Sequence, residues 1–303
     1  MEHRGENSAG RWRIEFARQV AWYYSGHEGI RMILLGGSPS RGLSDDYSDL
    51  DVVVYWEAID LPWLEQRPLD TAGGDFVMLH KMGDARMLLE EYYFADLKVD
   101  LGHATLGLWD EWVTKVVDNH DPNPHLQKSL QGFIEAIPLH GEAAHRRWCD
   151  RILPYPRQLA VNTVRTNLRF FTRGCLLHQG LERGDMLFFF DGMCMMMKHL
   201  VAVYGGLNMM YLSTIEPRWI EFELSRMIIK PAQVWERMKT ILTLADATSI
   251  KLLDELVDET LDLVDVHMPE HDTSRLRKML KLEVKACPEP PEFVPYSGRS
   301  RES

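Results

Sequence analysis

The hydrophobic pattern changes near residue 106, and this change constrains the fold more than any other feature of the chain. Before it, residues 31–35 and 50–56 form short apolar, β-branched runs, and residues 86–103 have the pattern of a β-hairpin. After it, apolar residues recur at three- to four-residue spacing, interrupted by prolines and glycines that end helices. The pattern predicts an α+β protein in which a small mixed β-sheet with flanking helices precedes an all-helical bundle.

The predicted domains follow from this division. We expect residues 1–108, which begin with an amphipathic helix over 11–25, to form the sheet domain, and residues 109–287 to form the bundle. Residues 288–303 are rich in proline and polar residues, which predicts a disordered tail.

Charge and cysteine content narrow the class of protein. The formal net charge of -11 over 303 residues disfavours extended nucleic-acid binding, because contact with a phosphate backbone needs clustered lysine and arginine. The 4 cysteines have no CxxC spacing and are expected to be reduced thiols of a cytoplasmic protein. No apolar run reaches the roughly 20 residues that a membrane helix needs, so we expect a soluble protein without membrane contact.

One short stretch, GGSPSRGLSDDYSDLD at residues 36–51, combines a donor-rich turn with a group of carboxylates. Gly36 and Gly37 can adopt positive φ and let the backbone approach a ligand closely. Successive amides in such a turn can hold an anion, and the Ser38 hydroxyl adds a donor. The turn therefore predicts a phosphate-binding site.

Three aspartates on neighbouring strands predict a metal site beside this turn. Asp49 and Asp51 are two residues apart on a predicted strand, so they project from one face, about 6.6–6.8 Å apart along it. Asp100 lies between apolar neighbours on a later strand, which would bring it beside the other two if the strands pair. Oxygen ligands of this kind suit Mg²⁺, and two such ions can clamp the attacking and leaving oxygens of a displacement on phosphorus.

The turn and the carboxylates together predict a site for a nucleoside triphosphate. The interval from Gly37 to Gly42 matches the start of a P-loop, but Leu43 stands where that motif requires lysine, so a P-loop is excluded. A second possibility for the aspartates is a set of solvated or helix-capping carboxylates. Aspartate is depleted in β-branched strands, which favours the metal site.

The order Leu35-Gly36-Gly37-Ser38, then Asp49-Leu50-Asp51, then Asp100 resembles the nucleotidyltransferase superfamily. That superfamily includes DNA polymerase β, antibiotic nucleotidyltransferases and minimal nucleotidyltransferase antitoxins. The helical remainder, with PLHG at 138–141 and YP at 155–156, looks like a bacterial group of uncharacterised nucleotidyltransferase-like proteins. The motif resemblance covers residues 31 to 103, and it implies that the sheet domain is the catalytic domain.

The resemblance also implies roles for these residues. Ser38 and the Gly37 backbone would hold the triphosphate, Asp49 and Asp51 would bind metal ions, and Asp100 would help to activate an attacking hydroxyl. The implied reaction is Mg²⁺-dependent transfer of a nucleoside monophosphate from a triphosphate, with ATP the expected donor, to an acceptor hydroxyl with release of pyrophosphate. The alternative is a nucleotide-binding regulatory or antitoxin-like module with little turnover.

Two cationic residues have open roles in the sequence. Arg41 could bind phosphate or pair with the nearby acids, and the sequence does not separate these roles. Lys198 lies in a strongly apolar predicted helix, so its ammonium needs a partner, which could be the nucleotide phosphates or Asp191 seven residues earlier.

Further charged residues have structural interpretations that the sequence favours. Arg165, Arg169 and Arg173 are spaced by four on a helix predicted over 157–180. An exposed helix face whose arginines pair with acids is favoured over a positively charged surface that binds the triphosphate or the acceptor. Asp45 and Asp46 are expected to have surface or capping roles.

Overall fold

The structure is a computed structural model and describes residues 7–83, 85–282, 286–290 and 292. Within these residues a six-stranded mixed sheet is combined with helices that dominate the C-terminal part of the chain. The predicted α+β fold class is therefore confirmed. Of the tail predicted over 288–303, only residues 288–290 and 292 are among those described.

The strands of the sheet are β1 (Ile30–Leu35), β2 (Leu50–Trp56), β3 (Asp75–Lys81), β4 (Met87–Phe94), β5 (Leu97–Thr105) and β6 (Ile137–His140). Their order is β3-β4-β5-β2-β1-β6, and β2 and β5 run parallel while the other neighbours are antiparallel. The predictions for β1, β2 and the β4–β5 hairpin are confirmed.

Two strands were not predicted, and both lie at the edges of the sheet. β3 is largely exposed, although residues 76–79 are apolar. β6 is only 4 residues long and contains Pro138, a residue that edge strands tolerate and central strands do not. Because β6 pairs with β1, the sheet includes chain from beyond residue 108.

The helices are α1 (Ser8–Ser25), α2 (Gly37–Arg41), α3 (Leu61–Leu64), α4 (Leu106–Val113), α5 (Pro124–Glu135), α6 (Glu142–Ile152), α7 (Arg157–Asn167), α8 (Met186–Leu207), α9 (Ile220–Ser225), α10 (Val234–Leu244), α11 (Ala247–His267) and α12 (Ser274–Leu280). Short π-helical turns follow α4 and α7, at Thr114–Asp118 and Cys175–Leu181. Side-chain caps begin several helices; for example, Asn7 accepts a hydrogen bond from the amide of Gly10 at the start of α1.

The helix predicted over 157–180 is interrupted, and this part of the prediction is wrong. α7 ends at Asn167, whose side-chain amide donates to the carbonyl of Thr163 at 2.9 Å, and residues 168–172 are not helical. Such local side-chain bonds to the backbone compete with the helical pattern. Arg165, Arg169 and Arg173 therefore do not form one continuous helical face.

The two faces of the sheet differ in what covers them. The apolar residues of β2 and β5, among them Leu50, Val52 and Leu101, are buried in one core with the inner face of α1. Alternation along each strand places Asp51 and Asp100 on the opposite face. On that face Tyr55 packs against rings of α4 and α5, so these helices cover the C-terminal part of β2 and leave the Asp51 end less buried.

A buried polar network lies within the apolar core. Glu90 is fully buried and accepts hydrogen bonds from the hydroxyls of Tyr24 (2.7 Å) and Tyr92 (2.8 Å). Its other contact is with Nε2 of His103 at 3.1 Å, and Trp56 Nε1 donates to His103 Nδ1 at 3.1 Å. With Nδ1 accepting, Nε2 carries the proton and donates to Glu90, so the buried carboxylate has three donors.

The chain forms two compact units. One comprises the chain to Leu168 together with Lys198–Lys230, and the other comprises Arg169–Met197 and the chain from Pro231. The first contains the whole sheet. In the second, α10 and α11 are joined by a bidentate ion pair in which Arg237 donates to Glu259 at 2.7 and 2.8 Å.

Among the described residues, one helix, α8, is long and apolar enough to span a membrane by length and composition. The expectation that no apolar segment reaches this length therefore has one exception. Half of the apolar window of α8 is buried inside the protein.

Candidate metal and nucleotide site

The three predicted aspartates come together on one face of the sheet. The parallel pairing of β2 with β5 places Asp51 directly beside Asp100, and Asp49 lies immediately before β2. One carboxylate oxygen from each lies within 4.8 Å of the others. The expected strand pairing is thus present, although Asp49 belongs to the loop before β2 and not to the strand itself.

The glycine turn is fixed against the same carboxylates. The amide of Gly36 donates to the carbonyl of Asp51 at 2.8 Å, which ties the end of β1 to the start of β2. Gly37 has a φ of +63°, and a β-carbon there would overlap Oδ2 of Asp51. A side chain at position 37 would therefore displace the carboxylate, which gives a structural reason for the second glycine of the motif.

The crowding of negative charge changes the protonation of Asp51. Burial, followed by the charges of Asp49 and Asp100, raises the pKa of Asp51 to about 6. The positive charges of Arg218 and Lys98 oppose this shift. Ionised Asp51 is therefore costly in the protein alone, and a bound cation would relieve the repulsion.

Asp100 has one oxygen engaged and one free. Its Oδ2 accepts a hydrogen bond from the ammonium of Lys98 at 2.9 Å, whereas Oδ1 is buried and lacks a hydrogen-bond partner in the part of the chain described. Burial raises the pKa of Asp100, and the bond to Lys98 opposes that rise. An unpartnered buried carboxylate oxygen beside two further carboxylates is the kind of hard oxygen donor that Mg²⁺ prefers, so the residues present fit this ion.

The acidic loop between α2 and β2 is held from α1. Arg13 is buried and donates to the carbonyls of Ser48 (2.9 Å) and Ala9 (3.1 Å). Within the loop, Oδ1 of Asp45 accepts from the amide of Tyr47 at 3.0 Å and from the hydroxyl of Ser48 at 2.9 Å. Asp45 and Asp46 are exposed, in agreement with the surface role that was one of the two expected, and Asp45 stabilises a turn of the loop that leads into Asp49.

The two polar side chains of the turn have different partners. The Ser38 hydroxyl lies 3.3 Å from that of Ser44, a weak contact that a ligand could replace. Arg41 donates to Glu135 of α5 at 2.7 Å, and Glu135 also accepts from Arg226 at 2.6 Å. The sequence left two roles open for Arg41, phosphate binding and pairing with the nearby acids. In the structure Arg41 forms an ion pair, but its partner is a glutamate distant in sequence and not one of the loop aspartates.

Lys198 has a partner that the sequence did not suggest. Its ammonium donates to the carbonyl of Ile215 at 3.3 Å, while Asp191 is exposed. The chain around Ile215 is also held by Gln131, which accepts from the amide of Ser213 at 3.1 Å. This segment leads to Arg218, whose charge acts on Asp51.

Three charged residues near the cluster were not predicted from the sequence: Glu91, Lys98 and Arg218. Lys98 could have been found from its spacing, because residues two apart on a strand share a face and Lys98 precedes Asp100 by two. Glu91 depends on the β4–β5 register and Arg218 on a loop far along the chain, so neither has a local signal.

No known family profile matches the chain, and no curated protein matches it significantly. Among solved structures, the chain is similar to the crystal structure of a nucleotidyltransferase-like protein from Exiguobacterium sibiricum 255-15. The sequences are 13% identical, the TM-score is 0.39, and the similarity covers 88% of this chain and 87% of the other. A likeness at this level carries no activity from one protein to the other, so function has to be inferred from the residues of the site.

Proposed function

We propose that the protein is a Mg²⁺-dependent nucleotidyltransferase that moves a nucleoside monophosphate from a nucleoside triphosphate to an acceptor hydroxyl. The observation that carries the proposal is the convergence of Asp49, Asp51 and Asp100, with oxygens within 4.8 Å of one another and a buried, unpartnered Oδ1 on Asp100. The glycine turn is packed against Asp51 at the same place, which would bring a bound phosphate close to the carboxylates.

The carboxylates would divide the chemistry between them. Asp49 and Asp51 would hold one or both Mg²⁺ ions, which would neutralise charge on the phosphates and on the leaving pyrophosphate. Oδ1 of Asp100 would accept the proton of the acceptor hydroxyl. The hydroxyl oxygen would then bond to the α-phosphorus as the bond from that phosphorus to the bridging oxygen breaks and pyrophosphate leaves.

The donors of the turn would bind the triphosphate. The amide of Gly37 and the hydroxyl of Ser38 are proposed to hold the terminal phosphates, with ATP as the donor nucleotide. Gly36, whose own amide donates to the carbonyl of Asp51, would let the backbone of the turn approach the nucleotide. Arg41 and Lys198 are proposed to add positive charge near the phosphates. Arg41 would exchange its hydrogen bond to Glu135 for one to a phosphate. Lys198 would use the N–H groups that do not donate to the carbonyl of Ile215. A cytoplasmic location without membrane contact is part of the same proposal.

The test is a search for turnover with matched variants. Purified protein would be incubated with each α-labelled triphosphate, Mg²⁺ and panels of small-molecule, protein and tRNA acceptors, and release of pyrophosphate and labelled product would be measured. We expect turnover that Asp51→Asn abolishes and that Asp46→Asn, an exposed neighbour in the same loop, retains. Triphosphate binding without pyrophosphate release under every condition would support the regulatory module instead.

A further inference from the structure

Lys98 lies between two carboxylates at the edge of the candidate site. Its ammonium donates to Oδ2 of Asp100 and forms an ion pair with Oε2 of Glu91, each at 2.9 Å. The geometry follows from the sheet: Lys98 and Asp100 are two apart on β5, and Glu91 of β4 pairs directly opposite Asp100. The three side chains therefore share one face.

This ion-pair arrangement is partly shielded from water. The side chain of Glu91 is 12% exposed, that of Asp100 20% and that of Lys98 34%. Burial acts to lower the pKa of Lys98, but its hydrogen bonds to Glu91 and Asp100 outweigh burial and raise it. The ammonium is therefore a positive charge held by two carboxylates, those of Glu91 and Asp100.

The bond to Lys98 makes the two oxygens of Asp100 unequal. Oδ2 is occupied by the ammonium, and Oδ1 is the buried oxygen that lacks a partner among the described residues. With Oδ2 fixed, rotation of the carboxylate about its own bond is restrained. Only one oxygen of Asp100 is left available to a cation or to an acceptor proton.

We propose that Lys98 is a positioning residue that makes Asp100 a single-oxygen participant in the reaction and limits the negative charge offered to the metal. The inference rests on the proposed function and deepens it. A carboxylate held in this way can accept a proton at Oδ1, whereas one that is free to chelate a cation with both oxygens has none left for the acceptor hydroxyl.

The proposal predicts that loss of Lys98 changes metal binding and turnover in opposite directions. Lys98→Met removes one positive charge and frees Oδ2, so Mn²⁺ affinity of the nucleotide-free protein should rise roughly tenfold. Under turnover conditions, kcat should fall at least about tenfold, with the KM for the triphosphate within twofold. Lys98→Arg, whose guanidinium can also bridge two carboxylates, should restore both values to near wild type.

The experiment compares these variants with a matched control. Mn²⁺ binding would be followed by calorimetry at pH 8 for the wild type, Lys98→Met, Lys98→Arg and Lys81→Met, the last being an exposed lysine on the edge strand β3. The control should match the wild type. If Lys98→Met does not fold, Lys98→Gln, which loses the charge but keeps an amide donor, takes its place, and its Mn²⁺ affinity should rise by a smaller factor because only the charge is removed.

Two results would overturn the proposal, and they differ from failure of the proposed function. Unchanged or weaker Mn²⁺ binding in a folded Lys98→Met protein would show that Lys98 does not restrain Asp100. A fall in triphosphate affinity with unaltered Mn²⁺ binding would make Lys98 a phosphate ligand. Absence of Mn²⁺ binding in the wild type and in Asp51→Asn alike would remove the metal site itself, and the role of Lys98 with it.

Discussion

Replacement of Asp51 by asparagine is expected to stabilise the metal-free protein while it abolishes the function of the site. The ionised carboxylate of Asp51 destabilises the folded protein, because burial and the charges of Asp49 and Asp100 raise its pKa to about 6 from an ordinary value of 3.8. That difference corresponds to about 3 kcal/mol as an upper limit. The carboxylates of Asp49 and Asp100 still repel each other in the variant. We therefore expect Asp51→Asn to gain about 1–3 kcal/mol in free energy of unfolding above pH 6.

The pH dependence gives this prediction a definite sign. The folded protein binds the Asp51 proton more tightly than the unfolded chain does, so the penalty is absent below pH 3.8 and grows until pH reaches about 6. Above that pH it is constant. The advantage of Asp51→Asn over wild type should therefore grow between these two values and then level off.

Thermal unfolding in EDTA, repeated across this pH range, measures the effect. A gain of about 1–3 kcal/mol corresponds to a rise in Tm of about 2–12 °C for a unit of this size. Mg²⁺ should narrow this difference: at ten times its Kd the ion adds about 1.4 kcal/mol to the wild type and little to the variant. Asp46→Asn, in the same loop, should show neither effect.

A lower Tm for Asp51→Asn than for wild type in EDTA at pH 8 would refute the charge-repulsion account of the cluster. Equal stabilisation of both proteins by Mg²⁺ would refute the assignment of Asp51 as a metal ligand. These outcomes are independent, so the electrostatic and the metal-binding parts of the interpretation can fail separately.

Three further substitutions test other parts of the structure. Gly37→Ala should lower the Tm and weaken Mn²⁺ binding measured by calorimetry, because its β-carbon meets Asp51, whereas Gly73→Ala, which also has positive φ but has open space around it, should affect stability only. Glu90→Ala should cost about 3–5 kcal/mol in urea unfolding, since it leaves three buried donors without their acceptor, and Mn²⁺ binding of the folded fraction should persist. Lys198→Met should reduce triphosphate affinity about tenfold in a calorimetric titration, and a loss of Tm with unchanged affinity would instead assign Lys198 to its backbone partner alone.

Local sequence was sufficient for the parts of the fold and site that depend on short-range geometry. An apolar run ended by Gly36 and Gly37 predicts β1, and a β-branched and aromatic run predicts β2, because each of these signals lies within a few consecutive residues. The same holds for the placement of Asp49 and Asp51 close to the glycine turn, because only a short loop separates them from that turn in the chain. The need for glycine at position 37 also follows from the turn, although its contact with Asp51 does not.

The tertiary structure decided everything that depends on register or on distant chain. Aspartate 100 reaches the cluster because β5 pairs in parallel with β2, and a shift of one residue would turn it to the core face. The same register logic brings Glu91 to Lys98 across the β4–β5 hairpin. Arg41 illustrates the other limit: the acidic residues nearest to it in the sequence are Asp45 and Asp46, yet it pairs with Glu135, because packing brings α5 beside the turn. Spacing along the chain fixes which side chains share a face, but the partners across that face are fixed only when the strands and helices have packed.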